Sequence, residues 1–252
     1  MDIKRVMISP VTFWMVFLIV PLYSLLQILF LETVFTHTNS FLGYSKYEGY
    51  VLMGTYRIVQ AMGFFFFVGR LSELKNLLRG TDHETFDTVL TKPIDSQLYG
   101  TMGKYMLGNI GPFFIGILIT VYGMIHLDYV PTAGGIISYI FLAFLGTLVM
   151  YFSLFILQML LFWSPELQFT EAIWDNAQQF GKYPSALYQG GIGILVNLMF
   201  PITLMAAIPS EFLFGKIPAY MLLTYTGSIF VLFIITRLVW KFALQRYASF
   251  SS

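Results

Sequence analysis

Long apolar runs alternate with short polar segments along the chain. Each run has about the 20 residues that a helix needs to cross ~30 Å of hydrocarbon at 1.5 Å per residue. The fourth run is longer than a span requires, and Pro201 and Pro209 interrupt the fifth. The pattern predicts an all-α membrane protein with six transmembrane helices in a single domain, residues 1–252. The six runs are residues 13–31, 49–68, 105–125, 136–163, 189–208 and 219–240.

The composition agrees with a membrane protein. The chain is 57% hydrophobic and 11% charged, whereas soluble domains carry about 25% charged residues. Its net charge of +1 gives no sign of a nucleic-acid partner. The absence of cysteine excludes disulfides and thiolate chemistry.

Lysine and arginine fall mostly on one side of the predicted membrane. With the N-terminus inside, the outer loops receive only Lys46 and Lys216, and Arg57 falls within the second run. Cytoplasmic loops carry the excess of basic residues in membrane proteins, so both termini are predicted to be cytoplasmic. The basic residues on that side are Lys4, Arg5, Arg70, Lys75, Arg79, Lys92, Lys104, Lys182, Arg237, Lys241 and Arg246.

Two segments outside the runs have an apolar stripe at helical spacing. In residues 1–12, Ile3, Val6 and Met7 share a face, which predicts an interfacial helix on the inner leaflet. Residues 164–188 are predicted to form an amphipathic linker at the cytoplasmic surface, which either anchors the chain to the membrane or docks a partner. The stripe in this second segment consists of Phe169, Ile173, Trp174, Ala177 and Phe180.

Motifs for nucleotide binding and for hydrolytic chemistry are missing from the sequence. It contains no G-x-x-x-x-G-K-[ST] phosphate loop, no H-E-x-x-H zinc motif and no G-x-S-x-G turn. His37, His83 and His126 lie in separate segments, so a shared metal site is not expected. We therefore expect no cofactor in this chain, and we expect the energy for any transport to come from elsewhere.

A dense polar island at residues 70–98 breaks the apolar pattern. It holds nine of the 27 charged residues, which are 14 basic and 13 acidic. Its first part predicts a helix that continues the second run. The sequence TDHE is then a capping box, in which Thr81 and Glu84 satisfy each other's backbone N–H groups. It predicts a short helix over 82–90, which Pro93 prevents from continuing.

Two interpretations of this short helix remain open. It is too short to be stable alone in water, so it must pack on its own protein or on a partner. It is either one capped turn in a solvated loop, or a docking element for a soluble partner with Phe86 as its apolar anchor and charges around it. The candidate docking residues are Thr81, Asp82, His83, Glu84, Phe86, Asp87, Val89, Leu90 and Lys92.

Arg57 is predicted to lie about 12 Å deep in the second run, by helix rise. An arginine at membrane depth indicates a functional site by default. With Gln60, one turn further on, it could line the path of an anionic or polar substrate. Alternatively, it pairs with Glu32 or Glu48 near the outer face, or extends its side chain outward.

Three stretches carry a recognisable order of residues. FLGYSKYEGYVLMGTYRI (41–58) is similar to a Gly-aromatic-Ser-x-x-Glu pattern, and LRGTDHETFDTVLTKPIDSQLY (78–99) to a Gly, acid, Leu-x-[Lys/Arg]-Pro loop. FGKYPSALYQGGIGILVNLMFPITLMAAIPSEFLFG (180–215) is similar to a Tyr-Pro, Pro, Pro ending. In this order they resemble the integral-membrane permeases of prokaryotic ATP-binding-cassette (ABC) transporters, in particular the six-span, type-2 exporter-like group.

The resemblance implies a permease subunit of an exporter in the prokaryotic cytoplasmic membrane. It implies two permease subunits, alike or different, paired with two soluble ATPase subunits that bind ATP and Mg. It also implies that a coupling helix at about 81–90 sits in a groove of the ATPase, and that 208–218 is a partly re-entrant outer segment. Membrane lipids surround the spans in such an arrangement.

Two other functions remain open. A polytopic enzyme that acts on lipids needs a polar cluster at one interface, and the candidates are His83, Glu84 and Asp87. Turnover of lipid by the solubilised chain without ATP would favour this alternative. A membrane scaffold for other subunits would instead show no ATP-dependent transport.

Overall fold

The computed structural model describes residues 10–79, 86–164, 167, 169–188, 190–191 and 201–251. Within these ranges the chain is helical and contains no β-strand, which confirms the predicted all-α class. The helices are α1 (Pro10–His37), α2 (Lys46–Gly63), α3 (Gly69–Arg79), α4 (Phe86–Leu90), α5 (Ser96–Thr101), α6 (Ile110–Ile125), α7 (Ala133–Gln158), α8 (Phe169–Gln178), α9 (Ala207–Leu213) and α10 (Met221–Ser251).

Shorter helical turns join or extend these helices. The π-helical segment Phe64–Val68 links α2 to α3 without a break, so the polar island does begin with a helix that continues from the second run. The 3-10 turns are Leu107–Asn109, Met159–Phe162, Gln179–Lys182, Ser185–Tyr188 and Ile202–Leu204.

Four helical segments in the described part of the chain are long and apolar enough to cross a membrane. They correspond to the second, third, fourth and sixth predicted spans, which are confirmed as helices of spanning length. The four segments are Lys46–Leu78, Leu107–Ile125, Ala133–Phe162 and Met221–Tyr247.

The other two predicted spans stay predictions. Residues 13–31 lie in α1, which has 28 residues but is not one of the four segments. Most of the fifth predicted span, including 192–200, lies outside the described residues. The predicted interfacial helix at 1–12 also falls largely outside them, because the described chain begins at Pro10.

A capping box starts α2. Ser45 Oγ accepts a hydrogen bond from the Glu48 backbone N–H at 3.4 Å, and Glu48 Oε2 accepts one from the Ser45 N–H at 2.7 Å. Gly43 has a φ of +80° just before this cap, a conformation in which glycine has no steric cost. The start of α2 is therefore set by local sequence.

Glycines let α2 pack closely against α6. A Cβ atom on Gly54 would lie 2.6 Å from the Thr120 backbone nitrogen and 2.8 Å from the Gly116 carbonyl oxygen. A Cβ atom on Gly116 would lie 2.9 Å from the Ile58 backbone nitrogen. Small residues at a contact allow two helix backbones to approach in this way.

The centre of the described core is α7, which packs against α2, α9 and α10. Val149, Met150 and Phe155 on α7 are buried in the largest apolar cluster. By contrast, α10 leaves most of its surface exposed, including the apolar side chains of Leu223 and Phe230. Such a surface suits contact with lipid or with another subunit.

Candidate functional site

The polar island contains two short helices, α4 and α5, between α3 and α6. Helix α4 is the last part of the helix predicted over 82–90. Thr81, Asp82, His83 and Glu84, with the predicted capping box, lie outside the described residues.

Phe86 points into the chain's own core and is 0% exposed. Its ring centroid lies 5.2 Å from that of Phe162, 5.9 Å from that of Trp240 and 4.8 Å from that of Tyr247. Val89, on the same face of α4, is also fully buried. The interpretation of Phe86 as an outward-facing anchor is therefore wrong in this structure, because aromatic side chains of the C-terminal helix and of the turn after α7 already cover it.

The outward face of the island consists of other residues. Leu90 is 39% exposed and Ile94 is 58% exposed, and Lys92 between them is also exposed. Asp87 is exposed, and its carboxylate accepts a hydrogen bond from the Tyr247 hydroxyl at 2.9 Å. A soluble partner would meet Leu90, Lys92 and Ile94 rather than Phe86.

Asp95 fastens α5 to α10. It caps α5 by accepting a hydrogen bond from the Leu98 N–H at 3.0 Å, and Arg237 Nη1 donates to both of its carboxylate oxygens at 2.8–2.9 Å. Burial alone raises the pKa of Asp95, but the hydrogen bonds from Arg237 and Leu98 outweigh it and hold the pKa below its usual value. Trp240 Nε1 donates to Ser96 Oγ at 3.1 Å beside this pair.

We expect the Asp95–Arg237 pair to stabilise the fold only weakly and only above acidic pH. A double-mutant cycle with Asp95→Asn and Arg237→Gln should give a coupling of about 0.2–1 kcal/mol at neutral pH, because both side chains are partly exposed. Asparagine keeps the cap and removes the charge.

The coupling should vanish at acidic pH. It should persist above the pKa of an unfolded aspartate, about 3.9, and disappear as the pH falls through the lower folded-state pKa. Thermal unfolding of the four variants in detergent at neutral pH and at about pH 2 measures it. A coupling that is equal at both pH values would contradict this assignment.

Helix α5 is also fastened to α7. The hydroxyls of Thr101 and Tyr151 lie 2.9 Å apart, and Gln97 Nε2 donates to the Tyr151 hydroxyl at 3.4 Å. The polar island is thus held by α7 on one side and by α10 on the other. A displacement of α4 and α5 must therefore move these two long helices or break the contacts that join them.

Arg57 is buried, with 7% of its surface exposed. Its Nη2 donates to Gln27 Oε1 on α1 at 2.8 Å, its Nη1 donates to Gln60 Oε1 at 3.1 Å, and its guanidinium lies 5.2 Å from the Tyr23 ring centroid. A guanidinium over an aromatic ring in this range makes a cation–π contact. Arg57 therefore ties α1 to α2 and does not extend outward.

The structure does not support the alternative in which Arg57 pairs with Glu32 or Glu48. Glu32 accepts a hydrogen bond from Lys46 Nζ at 2.7 Å, and Glu48 accepts one from Lys216 Nζ at 2.7 Å. Both acids are therefore paired with lysines. Arg57 is left with neutral amide oxygens as its observed acceptors.

Gln60 extends the cluster around Arg57 to a third element. Its Nε2 donates to the Tyr56 hydroxyl at 3.1 Å and to Gln178 Oε1 at 3.3 Å. Gln178 Nε2 in turn donates to Asp175 Oδ1 at 3.1 Å. The structure thus brings Arg57 and Gln60 together, as their spacing predicted, and joins them to α8.

Helix α8 buries the polar side chains of Thr170 and Gln178 and exposes several apolar ones. Gln178 bonds to Gln60, and Thr170 Oγ1 donates to Gln158 Oε1 on α7 at 3.4 Å. Of the predicted apolar stripe, Trp174 is buried, whereas the other large side chains face outward. The exposed members are Phe169, Ile173 and Phe180.

The segment after α8 runs along α2 toward its start. Trp174 borders a cavity with Gly69, whereas Tyr183 borders a cavity with Tyr44, which precedes α2. Ser185 Oγ donates to the carboxylate of Glu211, which also accepts from Tyr44. This placement disagrees with the prediction that all of 164–188 lies at the cytoplasmic surface, because its polar groups find partners inside the protein.

Two cavities border the continuous α2–α3 helix, one near its start and one near its end. The first, which we name the outer cavity, has a volume of about 320 Å³ and reaches Gly49 and Met53. The second, which we name the inner cavity, has a volume of about 340 Å³ and reaches Val68 and Glu73. Arg57 and Gln60 lie between the two cavities along the chain.

Helix α9 lies against α7 rather than in an outer loop. The Met205 carbonyl lies 2.6 Å from the position of a Cβ atom on Gly146, and the Leu213 carbonyl lies 3.6 Å from that on Gly135. Gly135 and Gly146 are eleven positions apart on α7, which corresponds to about 16 Å at 1.5 Å per residue. The chain from 205 to 213 therefore follows α7 over about this length. The re-entrant path of 208–218 stays a prediction.

Several residues of these clusters had only weak signals in the sequence. Gln27 and Gln178 are single polar residues in or beside apolar segments, a signal that also fits ordinary interhelical hydrogen bonds. Trp240 and Tyr247 lie seven positions apart on α10, a spacing that places them on one face. Within the described ranges, no cluster of His, Asp and Glu is arranged to hold a metal ion.

Comparison with known proteins identifies the family of this integral membrane protein. A family model described as ABC-2 family transporter protein matches residues 21–251, which is almost the whole chain. Neither a curated protein nor a solved structure matches the chain. Membership in this family implies a membrane permease component that associates with an ABC ATPase subunit. The four spanning helices and the family match agree, and the chain belongs to the ABC-2 transporter family.

Proposed function

We propose that this chain is the membrane-spanning subunit of an ATP-driven exporter in the prokaryotic cytoplasmic membrane. A separate ATPase binds ATP and Mg, and two permease subunits, alike or different, enclose the transport path. Both termini and the polar island face the cytoplasm. The observation that carries the proposal is the fastening of the island to α7 and α10.

The coupling is mechanical. When ATP closes the ATPase subunits, the island moves with the groove in which it sits. Because Phe86 packs against Trp240 and Asp95 binds Arg237, the motion passes directly to α10. Rigid-body movement of packed helices of this kind changes which side of the membrane a path opens to.

The docking face is the outward side of the island. Leu90 and Ile94 supply the apolar contact, and Lys92 supplies a charge beside them. Apolar anchors surrounded by polar groups are typical of the energetic centre of an interface. Phe86 and Val89 support this face from inside the chain.

The transport path runs along α2 and α3, from one cavity to the other. Arg57 and Gln60 stand between the cavities, where they can bind a polar group of the substrate as it passes. The path is completed by the second permease, for which the exposed apolar surface of α10 and the outward side of α8 are available.

Replacing Leu90 with aspartate is expected to weaken ATPase binding by at least about tenfold. Removing a buried apolar anchor from an interface costs about 2 kcal/mol or more, and the new charge would be desolvated there. The measurement is ATP hydrolysis that co-purifies with the tagged chain from its native membrane, per mole of chain.

Val130→Asp is the matched control. Val130 is 92% exposed and lies in the loop between α6 and α7, on the predicted outer side. The Val130→Asp variant should leave the co-purified ATP hydrolysis unchanged. Equal hydrolysis in the Leu90→Asp variant and the unmodified chain would count against the docking face, and no hydrolysis in either would count against the exporter.

The structure offers no support for the alternative of a lipid-modifying enzyme. Of its three candidate residues, His83 and Glu84 lie outside the described residues. Asp87 binds the Tyr247 hydroxyl and belongs to the contacts that hold α4.

A further inference from the structure

The outer cavity combines an apolar wall with a few polar groups. Its volume of about 320 Å³ lies at the small end of the range for small-molecule sites, about 300–1,000 Å³. The wall is formed by α1, by Phe41 and Tyr44 before α2, by α2 and by residues 182–184, with aliphatic and phenyl side chains such as Leu26, Phe30 and Met53. None of the lining residues is acidic. The polar side chains are those of Gln27, Tyr44, Lys182 and Tyr183.

Two positively charged side chains, Lys182 and Arg57, lie at or next to this cavity, and the hydrogen-bond acceptors described for them are neutral. Lys182 lines it, donates to Gln179 Oε1 at 3.3 Å and lies 5.4 Å from the Tyr183 ring centroid. Arg57 lies one hydrogen bond behind the wall, because its Nη2 donates to the Gln27 side chain. Among the ion pairs of the described residues, none involves either cation.

The carboxylates near the same walls are engaged elsewhere. Glu32 on α1 binds Lys46 at 2.7 Å. Glu211 accepts a hydrogen bond from Tyr44 at 2.8 Å, and Lys216, which lies 4.6 Å from the ring centroid of that tyrosine, pairs with Glu48 at 2.7 Å, so this side carries two carboxylates and one lysine. Among the described ion pairs, none joins these carboxylates to Arg57 or Lys182.

Arg57 retains donors for an anion. A guanidinium has five N–H groups in a planar fork, and the bonds to Gln27 and Gln60 use two of them. Gln27 stands between the guanidinium and the cavity. An anionic group in the cavity can therefore accept hydrogen bonds from the Gln27 amide N–H groups. Alternatively, it can displace the Gln27 side chain and bind Arg57 itself.

We propose that the outer cavity binds an amphipathic anion, with its hydrocarbon part against the apolar wall and its anionic group between Gln27 and Lys182. This inference rests on the proposed function and names the class of substrate for the transport path. An anion there gains charge-assisted hydrogen bonds, whereas a cation of the same shape would be repelled in a medium of low dielectric constant.

Two sources supply this chemistry. One is an anionic membrane lipid with two acyl chains, and the other is an anion with a single hydrocarbon chain. Both place a carboxylate or phosphate at the end of an apolar body, and both reach a cavity between α1 and α2 from the membrane. The experiment separates them by competition.

The test compares three probes that differ only in their head group. The full chain, with the subunits that accompany it, is placed in phosphatidylcholine nanodiscs without ATP. Binding is measured by fluorescence for a pyrene-labelled long-chain carboxylate, and for the primary amine and the alcohol of the same chain length, after subtraction of empty nanodiscs. We expect saturable binding of the carboxylate and binding of the amine at least about tenfold weaker.

Variants locate the site. Arg57→Gln and Lys182→Gln should each weaken carboxylate binding by at least about tenfold and leave binding of the alcohol unchanged, because only the charge-assisted contact is lost. Lys241→Gln, an exposed residue on α10, is the matched control and should change neither. If Arg57→Gln does not fold, Lys182→Gln carries the test, because its side chain lies at the cavity wall.

Each outcome decides the proposal. Displacement of the carboxylate by added phosphatidylglycerol supports a two-chain lipid as the ligand, and retention supports a single-chain anion. Equal affinity for amine and carboxylate, no saturable binding of the carboxylate, or unchanged carboxylate binding in Lys182→Gln would overturn the proposed anion site. The assay contains no ATP, so such a failure leaves the proposed exporter intact, whereas loss of co-purified ATP hydrolysis would count against the exporter alone.

Discussion

Replacing Phe86 with alanine is expected to release α4 from the aromatic cluster beneath it. Removing a buried phenyl ring costs about 3–5 kcal/mol, and here the contacts with Phe162, Trp240 and Tyr247 are lost together. Because α4 has only five residues, it cannot remain helical alone. The amides of residues 86–101 should exchange with solvent about a hundredfold faster, as measured by hydrogen exchange in nanodiscs.

The same variant should uncouple transport from ATP hydrolysis. The ATPase can still hydrolyse ATP, but the island no longer passes its motion to α10. Leu90→Ala, on the exposed side of the same helix, is the control and should leave amide exchange unchanged. Unchanged exchange in Phe86→Ala would contradict the buried position of Phe86 and restore it as an outward anchor.

Replacing Gly54 with leucine is expected to force α2 and α6 apart. The atoms nearest to a Cβ atom at this position include the backbone of Thr120 and Gly116, at 2.6 and 2.8 Å, and backbone cannot turn aside as a side chain can. Overpacking usually costs about 1–3 kcal/mol, and a forced helix separation should exceed this range. We expect the thermal midpoint in detergent to fall by about 10 °C or more, with loss of transport.

Gly111→Leu is the matched control on α6. A Cβ atom at Gly111 has no neighbour within 4 Å, so the leucine should enter open space. Its thermal midpoint should stay within about 2 °C of that of the unmodified chain. A similar fall in both variants would show that leucine in these helices is harmful in itself, and that the close contact at Gly54 is not the cause.

The spanning helices could be predicted from sequence because hydropathy is a local property. Each of the four helical segments of spanning length matches its apolar run to within a few residues at its start. The capping box at the start of α2 was not predicted from the sequence, although Ser45 and Glu48 form one of the same kind as that predicted at Thr81. The helix that continues from the second run, residues 70–79, was also predicted correctly.

The burial of Phe86 could not be predicted from its own segment. Its neighbours Phe162, Trp240 and Tyr247 are 76 to 161 positions away in the sequence. An apolar face on a short helix indicates that something covers it, but does not tell whether the cover is the same chain or another. The sequence therefore left both interpretations open, and the structure selects the first for Phe86.

The partners of Arg57 and the path of 164–188 were missed for a related reason. Carboxylates attract attention as partners of arginine, yet the observed acceptors are the amides of Gln27 and Gln60. The apolar stripe around Trp174 resembled that of a surface helix, but Thr170 and Gln178 face inward because polar groups on neighbouring helices satisfy them. An amphipathic pattern marks two faces without telling which one is buried.

The uninterrupted helix from Lys46 to Leu78 has a mechanical consequence for the two candidate sites. Its 33 residues make a rod about 50 Å long, and the π-helical turn Phe64–Val68 does not break it. The outer cavity borders one end of this rod, and α5 packs against the other. A tilt of about 5° about the end that contacts α5 would shift the opposite end by about 4 Å, enough to widen or close a small-molecule cavity.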